Sequence, residues 1–181
     1  MSTLCLWHGN TRDVSHAAGT GLGDGTTASV GRMFDAVQTA RDRVGKALRD
    51  FGHTLVGHHV TPADLDTITS DLDAAASRIV GSEVRSRDNT GFHDRWPVEQ
   101  QDGDLFPTYG DRPFSGTSSP WSVEPEVRRD GPGVRATVTF HAAHEGAPGR
   151  CHGGIVAGLF DDLMGSAVSV HGVAVFTGEL T

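Results

Sequence analysis

The stretch from Gly149 to Gly165, GRCHGGIVAGLFDDLMG, places a histidine and two glycines at the start of an apolar run that two acids interrupt. Read as one helix from Gly153 to about Val170 at ~100° per residue, it puts Asp161 on a face shared with Gly154, Ala157, Gly158, Met164, Gly165 and Val168. That face is otherwise apolar and mostly small, and a carboxylate there is costly unless something compensates it. Small residues let other backbone approach closely, as under a wrapping sheet. Asp162 is turned toward Ile155, Leu159, Ser166 and Ser169, where the serines can hydrogen-bond it. Asp161 is therefore the candidate base or nucleophile, and Asp162 the structural acid.

The helix start carries the complementary chemistry. The first N–H groups of a helix lack intrahelical acceptors, and the helix dipole is positive behind them. Gly153 and Gly154 allow a ligand close to that backbone. Such a terminus holds a phosphate or polarises a carbonyl whose oxygen gains charge in acyl transfer. Asp161 lies seven residues beyond Gly154, about 10 Å along the axis at ~1.5 Å per residue. One carbonyl cannot contact both groups on a single helix. If both act on one bond, they come from two antiparallel copies, and the site is shared across a two-fold dimer.

The elements that position this helix follow from patterning. Val134, Ala136, Val138 and Phe140 alternate with Arg135, Thr137, Thr139 and His141, a half-buried strand. Asp130-Gly131-Pro132-Gly133 reads as a turn, and SVEPEVRR before it as the other hairpin arm. After His171-Gly172, VAVFTGELT reads as a further strand. Upstream, Met33, Val37, Ala40, Val44, Leu48, Phe51 and Leu55 recur at helical spacing. Thr61-Pro62-Ala63-Asp64 opens a second amphipathic helix through Leu65, Ile68, Leu72, Ala75 and Ile79. The expected organisation is a disordered tail at 1–30, a helical hairpin at 31–81, a linker at 82–109 and a sheet-and-helix domain at 110–181, an α+β chain.

Composition narrows the function. A formal net charge of -8 argues against a generic nucleic-acid surface. Cys5 and Cys151 form no zinc or disulfide framework and suit a reducing compartment. The first ten residues lack a signal-peptide pattern, and no window approaches the ~20 apolar residues of a membrane span. The expectation is a soluble, cytoplasmic protein without a membrane partner. GTGLGDG near the N terminus follows no strand and ends in no Lys-Ser/Thr, so it makes a poor phosphate loop. His53, His58 and His59 have no cysteine or paired carboxylate at ligand spacing and read as surface histidines. Cys151-His152 lacks a third orienting group for a thiol nucleophile.

HEGAPGRCHGGIVAGLFDDLMG followed by AVFTGELT resembles the hot-dog-fold acyl-CoA thioesterases of the phenylacetate-degradation type, over about residues 110–181. The resemblance implies a long central helix wrapped by antiparallel sheet, in a homodimer or homotetramer with sites at the dimer interface. It implies that Gly153 and Gly154 give backbone N–H groups to the thioester oxygen and that His152 shapes the helix start. Asp161 would activate water or attack directly, and Thr177 would position water or the carboxylate. The implied substrate is an acyl-CoA, with no metal and no separate cofactor expected. Two departures stand out. Some relatives carry Asn or Gln six residues before the histidine, where this chain has Gly146. Hot-dog domains also continue for two or three strands beyond the Thr-Gly-x-Leu-Thr segment, so the chain reads as C-terminally truncated. A hot-dog dehydratase has only fold analogy behind it. The alternative to hydrolysis is a catalytically inactive acyl-CoA-binding or dimerisation module.

Overall fold

The computed structural model describes residues 2–5, 26–85, 101–106 and 109–172, with side chains from Ala36 onward. In chain order the elements are β1 (Ser2–Cys5), α1 (Thr26–Gly57), α2 (Pro62–Val80), β2 (Glu126–Asp130), β3 (Gly133–Val138), a 3-10 turn (Ala142–His144), β4 (Glu145–Ala147), β5 (Arg150–Cys151) and α3 (Gly153–Ser169). The expected strand VAVFTGELT, Thr177 included, lies outside the described residues.

Strands β2 and β3 form the anticipated hairpin, with Asp130 opposite Gly133 across a turn in which Gly131 takes φ 53°. That left-handed conformation favours glycine. β3 is the middle strand of an antiparallel sheet ordered β1-β3-β2. Composition assigns the N terminus to a tail, yet Ser2–Cys5 pair with Val138–Arg135. The linker reading also changes. The Phe106 N–H donates to Val127 O and Gly103 N–H to Arg129 O, so part of this segment runs along the free edge of β2. The Phe106 side chain enters the core with Val123, Val127, Val134, Ala136, Val138, Leu159 and Leu163. The alternation in β3 delivers Val134, Ala136 and Val138 to one side, as the period-2 pattern requires.

Helix α3 meets this core through Leu159 and Leu163. The sheet therefore takes the leucine face, and among the described residues no strand covers the small-residue face expected beneath a wrapping sheet. Along its margin runs the loop 109–122, which holds two sides of the molecule together. Toward α3, Asp162 Oδ2 accepts from the Phe114 and Ser115 N–H groups and the Ser115 hydroxyl at 2.9, 2.8 and 3.0 Å. Toward α1, the buried Arg49 donates through Nη1 to Thr117 O and Ser119 O, and through Nη2 to Glu124. A Cβ on Gly45 would lie 2.5 Å from Ser118 O, so only glycine lets α1 come this close.

A second α1 contact is made of histidines. His53 stacks edge-on against His144 with centroids 4.6 Å apart and lies 5.0 Å from His141. Its Nδ1 accepts from the Ala143 N–H, and His144 Nδ1 accepts from the His141 N–H. His53 is thus half-buried rather than a surface histidine. Burial, with His53 and His141 beside it, pushes His144 down to about 4. The folded value lies below the usual 6.5, so the unfolded chain takes the proton first as pH falls. The stabilisation from a neutral His144 is complete above pH 6.5 and is lost as pH drops toward 4. It amounts to about 3 kcal/mol. Urea unfolding at pH 7 and pH 4 is expected to show this loss, and His144→Gln is expected to remove most of it relative to the unaltered chain.

Candidate active site on helix α3

The apolar run builds a continuous helix from Gly153 to Ser169, and His152 is its N-cap. Its imidazole Nδ1 accepts the Gly154 N–H at 3.0 Å. The Ile155 and Val156 N–H groups both donate to His152 O. Of the first-turn donors, the Gly153 N–H alone finds no acceptor among the described residues. A Cβ on Gly153 would meet nothing within 4 Å, so a side chain has room at this position. The two glycines, equivalent in the sequence, are therefore unlike in the fold. One amide is held by its own cap, and the other has no acceptor among the described residues.

Gly146 leaves no room for a side chain beside the cap. A Cβ there would lie 2.9 Å from His152 Cα and 2.9 Å from His152 Cδ2. An amide side chain at this position and His152 in its capping pose exclude one another. The capping histidine is further held by its own N–H, which donates to His144 O.

Asp161 is half-buried on the outward side of α3. Gly153, Gly154, Ala157 and Met164 on this side are exposed, and Gly158 and Gly165 lie at its margin. Phe114 covers Gly158 so closely that a Cβ there would lie 2.3 Å from the ring. Arg112 reaches along the next turn, donating to Asp162 O at 2.8 Å and Ser166 Oγ at 2.7 Å. Burial pushes the Arg112 guanidinium down, and the charges of Asp162 and Asp161 oppose that shift. Arg112 is thus the cation next to the candidate acid, and its position in a loop-rich stretch concealed it from sequence reasoning.

Asp162 is structural, though its carboxylate partners are the Phe114 and Ser115 amides and the Ser115 hydroxyl. Ser166 donates instead to the Asp162 main-chain carbonyl, and Ser169 to Ser166 O. Cys151 sits just before the helix with its thiol against His152 O, and burial pushes that thiol up, which lowers its thiolate content. Among the described residues, no group of three or more His, Cys, Asp or Glu is placed to hold a metal ion. No helix among them is long and apolar enough to cross a membrane.

The Gly153 amide and Asp161 face the same open side but are separated by eight residues, about 12 Å of helix. Within one chain they cannot meet at a single carbonyl.

No family model matches the chain, and no curated protein matches it. Among solved structures, the crystal structure of a thioesterase superfamily protein aligns with a TM-score of 0.59 at 23% identity, covering 78% of this chain and 69% of that one. The likeness is one of fold, and the helices and small antiparallel sheets found here are consistent with a hot-dog architecture.

Two substitutions separate the first-turn amides. Proline is favoured at the first helical position and lacks an N–H, and His152 already has φ -67° and ψ 130°, suited to a following proline. Gly153→Pro is expected to keep thermal stability within about 1 kcal/mol. His152→Ala is expected to cost about 1 kcal/mol through loss of the cap. Thermal melts of both variants check this.

Proposed function

We propose that this chain is an acyl-CoA thioesterase whose active site is completed by a second copy. The Gly153 N–H at the start of α3 polarises the thioester carbonyl, and Asp161 from the partner's α3 acts as base toward water or as nucleophile. The observation that carries this reading is the outward face of α3. It carries a main-chain donor with no acceptor among the described residues at one end and a half-buried carboxylate about 12 Å away, among mostly small, apolar residues. Two such faces related by a two-fold axis bring each donor to the opposite acid. The fold shared with a thioesterase superfamily protein supports the same chemistry.

With Asp161 as base, it takes a proton from water as the oxygen attacks the carbonyl carbon. Negative charge develops on the carbonyl oxygen opposite the Gly153 N–H and the positive end of α3. The carbon–sulfur bond then breaks, and the thiolate leaves as free thiol on taking up the proton. A helix-start amide is suited to this step because it needs no reorganisation as the charge forms. His152 acts through Gly154 by fixing the first turn. Thr177, given a positioning role by family resemblance, is proposed to orient the water or the carboxylate. The acyl-CoA is substrate, and the chemistry needs no further cofactor.

Thiol release from a panel of short, medium, long and aromatic acyl-CoAs tests the reading. Asp161→Asn is expected to reduce turnover at least a hundredfold while leaving the molecular mass in solution unchanged. Gly153→Pro is expected to lower kcat by about 10²–10³, the range for loss of one oxyanion donor. Stabilisation of the unaltered protein by acyl-CoA with no thiol release from any member would instead assign it as a binding module.

A further inference from the structure

Helix α2 has nineteen residues and not one of them is buried. It nevertheless carries a complete apolar seam, since Leu65, Ile68, Leu72 and Ile79 fall within about 60° on a helical wheel. Leu65, Leu72 and Ile79 are exposed. Helix α1 carries a matching seam beside the side it turns to the 109–122 loop. Val37, Val44, Leu48, Phe51 and Leu55 lie within about 40° of one line. Val37, Val44 and Leu48 on it are 46%, 58% and 40% exposed, so α2 of the same chain does not cover them. Only Phe51, Leu55 and Ile68, close to the connection between the helices, are half-buried.

Charge decides what fits. On α2, Asp64 and Asp71 flank the seam on one side and Asp73 lies beyond its other side, with Arg78 the only cation of the helix. Two α2 helices packed together would oppose acid to acid, which is unfavourable at seam-flanking positions. On α1, Arg41 and Arg43 flank the seam on its two sides. The acid-flanked seam therefore complements the arginine-flanked one.

We infer that α2 docks on α1 of a second copy of this chain, and that the second α2 returns the contact. A two-fold axis closes this exchange with both seams buried and neither seam left unpaired. The interface is separate from the α3 face and does not depend on the thioesterase reading.

Disulfide trapping between differently tagged copies tests it, in a background of Cys5→Ser and Cys151→Ser. Leu72→Cys in one copy is mixed with Val37→Cys, Val44→Cys or Leu48→Cys in the other. The expected result is a mixed covalent dimer with at least one of the three. Its yield should fall at least fivefold with Asp71→Arg and Asp73→Arg on the first copy, and return within twofold when Arg41→Asp and Arg43→Asp are placed on the second. The inference is overturned by cross-linking only within a single chain carrying Leu72→Cys and Val44→Cys, by Leu72–Leu72 products at equal yield, or by no mixed product at all three positions.

Discussion

The arrangement around α3 depends on one carboxylate. Asp162 Oδ2 gathers two main-chain N–H groups and a hydroxyl from Phe114 and Ser115, and so fixes a loop of little regular structure against the helix. Charge-assisted bonds of this kind are stronger than neutral ones, and losing the acceptor would strand amides in a partly buried site. Two further placements follow from this anchor. Phe114 is delivered onto Gly158, and Arg112 is laid along the turn that bears Asp161. The far end of the same loop receives Arg49, so α1 is tied to α3 through it.

The pair Asp161-Asp162 thus divides its work by direction. Adjacent helical residues point about 100° apart, so one acid can hold the loop while its neighbour faces the open side. The two glycines divide theirs by capping. Gly154 closes the first turn against His152, and Gly153 is left presenting its amide. Both divisions leave Asp161 and the Gly153 amide on the side of α3 away from the sheet core of the described residues.

Much of this was legible in the residues. The β2–β3 hairpin could be read from its alternation and its Asp-Gly-Pro-Gly turn, and α1, α2 and α3 from apolar spacing and caps. What could not be read were contacts between segments distant in sequence. Nothing in Ser2–Cys5 marks it as the neighbour of β3, because strand pairing is a tertiary choice. Nothing in Tyr109–Ser119 tells that its amides seek Asp162, since turn formers encode local bends and not partners. His53 looks like a surface residue in the sequence because its neighbours, His141 and His144, lie about ninety positions away. The preference of the sheet for the leucine face of α3 over the glycine face follows from burying more apolar area per residue, a comparison that helix periodicity alone does not make.

The central claim is that the donor at the start of one α3 and the acid in the middle of another serve the same thioester. Subunit mixing tests it most directly. Asp161→Asn and Gly153→Pro, each expected to lose at least a hundredfold of turnover on its own, are combined under conditions that allow exchange. A shared site predicts that the mixture regains roughly a quarter of the unaltered activity, because half the dimers then hold one intact site of two. Exchange without any recovery of thiol release would contradict the account.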